Sequence, residues 1–306
     1  MTASIGMRVY LLTVKRRGEA KKIKFGGDGS PTDTPGFIQS FIEEHEASTG
    51  NTELERTWSF EPSPNNEPGK IRGLIRYGTF GFESDFVDPV TRERHYKRKK
   101  DHVEQIPLYF EFWFPEGFNG GFAVFQSFKG RSCVDMVRTA MRVAFEAKHP
   151  EYLLRVMRLV PSPGDKGVYS QAPVRKLSLV QRKATGDVVE KYFSGRRDKP
   201  VNVELTLTAG RGGSLGLLGA LKKGIPSAAG GLFLDEDASV EAVAEIRVGK
   251  RIRKIGVYGV SADAGLIDIS DSIKFGPDGH PDFASLIDEA DQLLIELHEP
   301  LRYADL

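Results

Sequence analysis

Three clusters of basic side chains are the residues of this sequence best suited to a chemical task, the binding of phosphate. They run from Arg92 to Lys100, from Arg247 to Lys254 and from Lys15 to Lys24. A lysine or arginine that meets a nucleic-acid phosphate releases condensed counterions, which favours binding. The side chains that we expect to contact DNA are Arg92, Arg94, Lys97, Arg98, Lys99, Lys100, Lys250, Arg251, Arg253 and Lys254.

The overall charge does not explain these clusters. With 43 basic and 42 acidic residues, the formal net charge is +1, so any attraction for an anion must be local. Three basic clusters in a nearly neutral chain imply compensating acidic regions and therefore a basic face. The alternatives are three solvated turns, or contact with an anionic membrane surface.

A metal-dependent nuclease is the alternative function, because carboxylates that converge on magnesium support phosphoryl transfer. The nearest candidates are Asp85, Asp88, Glu93 and Glu111, with Lys97 available. Their spacing is not diagnostic, and Trp113 stands where a lysine partner of Glu111 is expected. Ordinary solvent-facing acids explain these residues better, and a protein interaction module with an acidic partner is a further alternative.

Other catalytic signatures are missing. The glycines of residues 210–216 suggest a phosphate loop, but Lys222 and Lys223 come too late for that motif. The six histidines lack the helical spacing of a zinc site, and Cys133 lies among apolar residues that favour packing. We therefore expect no catalytic residue, no bound metal and no cofactor.

Alternation and aromatic content predict the strands. A first hairpin is expected from Val9–Val14 and Lys22–Phe25, and a strand from Lys70 to Tyr77. The two runs 108–114 and 121–128 are almost continuously apolar, so we place them together at the centre of a sheet. Further strands are predicted at 152–160, 175–182, 201–208, 240–248 and 252–260.

Three amphipathic helices are predicted to cover the sheets. The first is capped by Thr34 with Pro35 at its first position and buries Phe37, Ile38, Phe41 and Ile42. The second covers 131–147, with Val134, Val137, Met141, Val143 and Phe145 as its packing residues. The third covers 281–297.

These elements predict an α+β fold of mostly antiparallel sheets covered by a few amphipathic helices. At 306 residues, two domains are expected, residues 1–160 and 161–306, divided at the turn 161–164. No run of about eighteen apolar residues occurs, so no transmembrane segment is predicted. The single cysteine suggests a reducing compartment and hence the cytoplasm.

From Pro107 onward the order of features resembles the RexA family of phage exclusion proteins, known from phage lambda. The segments that carry the resemblance are Leu108–Pro115, Gly121–Gln126, Val201–Leu205, Ser214–Gly219, Lys250–Lys254 and Gly265–Ser270. They span about half the chain and include no diagnostic motif. The resemblance implies an α+β homodimer that binds DNA with little sequence preference and serves phage exclusion or antiviral defence without being an enzyme. The N-terminal hundred residues show no match, and no functional residue is carried over.

Charge and resemblance together predict a protein that binds duplex DNA without sequence preference. Contacts to phosphate would give affinity but little sequence information.

Overall fold

The computed structural model describes residues 5–47, 49–51, 54–160, 169–184, 201–221, 240–248, 251–258 and 265–302. Within these ranges the chain consists mainly of antiparallel strands, together with three α-helices. This architecture confirms the predicted α+β fold. No helix in the described ranges is long and apolar enough to cross a membrane.

The chain divides into two compact units. Unit 1 contains the residues up to Val9, Arg158–Ile273 and those from Asp291, whereas unit 2 contains Tyr10–Met157 and Lys274–Ala290. The chain passes from unit 2 to unit 1 after Met157, and residue 160 is the boundary that the sequence predicts. The returns of the chain at 274 and 291 were not predicted, because local turn signals do not show which distant segments pack together.

Unit 2 contains most of the strands in the first half of the chain. They are β1 (Ile5–Arg16), β2 (Lys22–Ile23), β3 (Thr49–Asn51), β4 (Arg56–Pro62), β5 (Lys70–Thr79), β6 (Ser84–Val87), β7 (Arg94–Arg98), β8 (Glu104–Trp113), β9 (Gly121–Phe128) and β10 (Tyr152–Arg158). The main sheet of this unit has the order β1, β9, β8, β5, β4, β3, and both β2 and β10 also pair with β1. The predicted first hairpin is thereby confirmed, with Lys15 opposite Lys22.

Aromatic residues of β8 and β9 form the centre of this sheet. The strands are antiparallel, with Phe110 opposite Phe125 and Phe112 opposite Ala123. All eight residues of β9 are buried. Strand β5 pairs with the other edge of β8, so β8 has a hydrogen-bonded neighbour on both sides. The prediction of a central aromatic strand pair is confirmed.

Helix α1 (Thr34–Glu44) has the predicted buried face but a different cap. The side chain of Asp33 accepts a hydrogen bond from the backbone N–H of Gly36 at 3.2 Å. Thr34 was predicted as the cap, but it is the first helical residue and its buried hydroxyl contacts Thr32 at 3.1 Å. The charged aspartate one residue earlier is the better acceptor for the helix N-terminus.

Helix α2 (Val134–Lys148) buries Val134, Val137, Met141 and Phe145. Val143 was predicted among these packing residues, but 60% of it is exposed. Two residues along a helix rotate a side chain by about 200°, so a residue next but one to Met141 faces away from the core. Helix α3 (Phe283–Arg302) begins close to the predicted start and extends further.

Unit 1 contains the strands of the second half of the chain. They are β11 (Val174–Ala184), β12 (Val201–Thr208), β13 (Val240–Val248), β14 (Arg251–Tyr258) and β15 (Ile267–Asp268). Their order is β12, β11, β13, β14, β15, followed by the start of β1. The segments 240–248 and 252–260, predicted as strands, correspond to β13 and β14, which pair in antiparallel register.

Candidate nucleic-acid interface

The first predicted cluster lies on a two-stranded ribbon. Among the described strands, β6 and β7 pair only with each other, with Asp85 opposite Lys97 and Phe86 opposite Tyr96. This ribbon, residues 82–102, connects β5 to β8 of the main sheet. Opposite residues of an antiparallel pair share a face, so Phe86 and Tyr96 lie on one face, and Asp85 and Lys97 lie on the other.

The turn of the ribbon explains one of the candidate acids. Asp88 accepts hydrogen bonds from the backbone N–H groups of Val90 at 2.8 Å and Thr91 at 2.7 Å. These bonds stabilise the carboxylate and lower the pKa of Asp88. Arg92 closes the turn with a positive φ of 64°. Asp88 therefore holds a turn together rather than presenting a free ligand.

Several bases of the ribbon are neutralised by acids of the facing strand. Lys97 lies 2.9 Å from Glu83, whose charge and hydrogen bond raise the lysine pKa, and Arg94 lies 3.7 Å from Asp85. From residue 83 to 101 the chain carries six lysines and arginines and five acids. The ribbon is thus nearly neutral, although the run 92–100 is strongly basic in sequence.

Arg98 is buried, and the structure removes it from the predicted DNA contacts. Its side chain is 2% exposed, lies 3.0 Å from Glu104 and donates to the carbonyl oxygen of Thr79 at 2.9 Å. Its guanidinium also lies 4.2 Å from the ring centre of Phe82. Arg98 therefore anchors the base of the ribbon.

Lys99, Lys100 and Arg92 differ from their neighbours. All three are exposed, and none forms an ion pair in the described part of the chain, although the charge of Glu83 attracts Lys99 and Lys100. They are the residues of the first cluster that the structure leaves accessible to phosphate.

The second cluster also contains both buried or paired bases and an exposed one. The side chain of Arg253 is 2% exposed and makes two hydrogen bonds to Glu296, at 3.0 and 3.2 Å. It is therefore also removed from the predicted contacts. Lys254 is 2.7 Å from Asp271, and this hydrogen bond raises the lysine pKa and lowers that of the aspartate. Arg251 is exposed at the start of β14, and Lys250 lies outside the described residues.

The nuclease candidates do not converge. Glu111 is completely buried in β8 and accepts a hydrogen bond from the Tyr109 hydroxyl at 2.5 Å, whereas Asp85 and Asp88 lie on the ribbon. No group of three or more potential metal ligands occurs in the described residues. Cys133 directly precedes α2 and is 3% exposed, and burial raises the pKa of its thiol to about 12. Such a thiol is a poor nucleophile near neutral pH.

The structure completes the third cluster. Lys15 lies in a groove of about 650 Å³ between α2 and β10, in unit 2. The groove contains four basic residues, Lys15, Arg138, Arg142 and Arg155, and two acids, Asp135 and Glu146. We call it the α2–β10 groove. It brings Lys15 of β1 together with cations of α2 and β10, which lie more than a hundred residues later in the sequence.

The acids of this groove already have partners. Asp135 lies 3.3 Å from Arg138, and Glu146 lies 3.1 Å from Arg17 at the end of β1. Lys15, Arg142 and Arg155, in contrast, have no acidic partner among the described residues. The groove therefore has an uncompensated positive charge.

Two further contacts show how the groove holds its cations. Arg138 donates to the carbonyl oxygen of Val156 at 2.9 Å and lies over the ring of Tyr10 at 4.8 Å, which fixes its position between helix and strand. Lys22, opposite Lys15 in the first hairpin, has a pKa lowered by partial burial and by the charge of Arg155. The positive charges of Lys22 and Arg155 repel each other, and a bound anion would reduce this repulsion.

The sequence indicated a basic cluster at Lys15–Lys24, but it did not predict that Arg138, Arg142 and Arg155 belong to the same cluster. The signal was present for two of them, since Arg138 and Arg142 are four residues apart and thus neighbours on one helix face. Arg155 had no signal, because only the pairing of β10 with β1 places it near Lys22.

Comparisons with known proteins identify no relative. No protein family model matches the chain, and no curated protein is significantly similar to it.

Proposed function

We propose that this protein binds nucleic acid without sequence preference, and that the phosphates lie in the α2–β10 groove. The observation that carries this proposal is the convergence of Lys15, Arg142 and Arg155, which have no acidic partner among the described residues. Unpaired cations that face one groove attract a ligand with several negative charges. The phosphate backbone of nucleic acid is such a ligand.

The chemistry of the groove favours phosphate contact over base recognition. Its uncharged lining is aliphatic, from Leu153, Leu154, Val156 and Met157, with Thr139 as the one uncharged polar residue. Sequence is read mainly by hydrogen bonds to base edges, and this lining supplies few donors or acceptors for them. Affinity without sequence preference is the expected result.

The salt dependence of binding tests the proposal. The variant Arg142→Ala/Arg155→Ala removes two exposed arginines, and we expect it to weaken binding to unrelated duplexes equally. Each lost phosphate contact changes the slope of log affinity against log salt by about 0.9 for duplex DNA, so the slope should become shallower by about 1.8. Fluorescence anisotropy with a labelled duplex at several salt concentrations gives both quantities.

A matched control separates local contact from net charge. The variant Arg211→Ala/Lys274→Ala also removes two exposed basic residues, but neither lines the groove. It should retain the parental slope. Equal slopes for the groove variant and its control would contradict the proposal, as would failure of the parent to bind DNA at low salt.

The first cluster is tested with the same assay. If Lys99→Ala/Lys100→Ala makes the slope of log affinity against log salt shallower, the ribbon also contacts the duplex backbone, as the sequence predicts. The homodimer and the role in phage exclusion that the resemblance implies, and the cytoplasmic location, remain part of the proposal.

A further inference from the structure

The ribbon of residues 82–102 displays three aromatic rings that the fold does not bury. Phe82, Phe86 and Tyr96 are 50%, 47% and 49% exposed. The ring centres of Phe86 and Tyr96 are 6.0 Å apart, and Tyr96 is stacked on His102 at 5.7 Å with an interplanar angle of 12°. The rings of Phe86, Tyr96 and His102 therefore line one exposed face, which we call the aromatic face.

Folding alone does not account for this face. A two-stranded ribbon gains little stability by itself, and rings that are half exposed leave much of their apolar surface in water. Arg98 anchors the ribbon through its ion pair with Glu104 and its contact with the Phe82 ring, and Phe86 and Tyr96 take no part in these contacts. Contiguous exposed apolar surface of this kind marks a binding site.

The charges around the aromatic face indicate the partner. Lys99 and Lys100 directly follow β7, Arg92 precedes it, and none of the three forms an ion pair among the described residues, because the nearby Glu83 is paired with Lys97. An apolar protein surface would cover the rings but give these cations no counter-charge. A strand of nucleic acid with unpaired bases supplies flat rings and phosphates together, which is how aromatic and basic residues combine in single-strand binding.

We propose that the aromatic face stacks on unpaired bases, with Lys99, Lys100 and Arg92 on the adjoining phosphates. This inference rests on the proposed function and names its substrate class: nucleic acid that is single-stranded or locally opened. Duplex bases are already stacked on one another, so the aromatic face adds affinity only where bases are free.

An abasic oligonucleotide separates stacking from phosphate contact, because it has the same backbone charge without the bases. We expect the parent protein to bind an oligothymidine more tightly than an abasic strand of equal length. In Phe86→Ala/Tyr96→Ala the affinity for the oligothymidine should fall by about tenfold, the lower range of what stacking on one base contributes. Affinity for the abasic strand and for duplex DNA should stay the same.

Two control variants sharpen the result. Phe275→Ala removes an equally exposed ring, 53% exposed and outside the ribbon, and should keep the parental ratio of the two affinities. Phe86→Leu/Tyr96→Leu keeps an apolar surface without rings and should behave like the alanine variant. A leucine variant with the parental ratio would overturn the proposal, because an apolar contact then suffices.

The two proposals fail in different measurements. If the oligothymidine and abasic strand bind the parent equally, the stacking proposal is wrong, even when the salt slope on duplex DNA still depends on Arg142 and Arg155. If the groove variant has the parental slope but the ratio depends on Phe86 and Tyr96, the groove proposal is wrong and the stacking proposal holds. No binding to any of the three nucleic acids refutes both.

Discussion

Replacement of Arg98 by alanine separates a structural arginine from a phosphate-binding one. Arg98 has the same sequence surroundings as Lys97, Lys99 and Lys100, yet it is buried against Glu104 and the carbonyl oxygen of Thr79. We therefore expect Arg98→Ala to lower the free energy of unfolding, whereas Lys99→Ala/Lys100→Ala should leave it almost unchanged, because exposed charges contribute little to stability.

The magnitude follows from the contacts that are lost. A hydrogen bond to a charged group contributes about 1.5–3 kcal/mol, and the contact with the half-exposed Phe82 ring adds about 0.5–1 kcal/mol. Two features reduce the cost. Glu104 keeps its second partner, Arg131 at 2.6 Å, and the substitution removes the buried Nε of Arg98, which has no hydrogen-bond partner among the described residues. A loss of about 2–3 kcal/mol is expected.

Urea denaturation monitored by circular dichroism measures this change, and the duplex salt titration provides the second measurement. Arg98→Ala should keep the parental salt slope, because its guanidinium is not accessible to phosphate. Arg98→Lys should be intermediate in stability, because an ammonium retains the charge but not the fork of donors. A stability change below about 1 kcal/mol, together with a slope shallower by about one phosphate contact, would refute this reasoning.

Three further predictions concern the core of unit 2. Phe110→Ala, in the central aromatic strand, should cost about 3–5 kcal/mol in urea denaturation, and a cost below about 1 kcal/mol would place that ring outside the core. Burial raises the pKa of the Cys133 thiol to about 12 from an ordinary value of 9.0. The stability that the buried, neutral thiol contributes is therefore complete below pH 9.0 and is lost as the pH rises towards 12. Parental stability should therefore fall with pH in this window more steeply than that of Cys133→Ala, approaching an excess of about 1.4 kcal/mol per pH unit; parallel curves would contradict this. Val143→Ala should change stability by less than about 0.5 kcal/mol, since this residue faces solvent. A larger loss would show that Val143 packs against the core after all.

The sequence by itself determined the elements and their buried faces. The aromatic runs of β8 and β9, the hairpin of β13 and β14, and the faces of α1 and α2 follow from the periodicity with which apolar residues recur, which is a local property. Where the prediction was wrong, as for Val143 and the cap of α1, the error was one of position within a correctly predicted element. Strands β6 and β7 were missed because their alternation is interrupted by charged and turn residues.

The tertiary structure decided which cations are accessible. Whether an arginine is free depends on the acid that the fold brings beside it, and this acid is distant in sequence: Glu296 is 43 residues from Arg253, and Glu151 is 135 from Arg16. In the run 92–100, three of the six lysines and arginines pair with nearer acids, Glu83, Asp85 and Glu104. The α2–β10 groove acquired its charge in the opposite way, because strand pairing and helix packing placed Arg142 and Arg155 beside Lys15 without an acid for either. Charge pairing is a property of neighbours in space, and no local pattern encodes it.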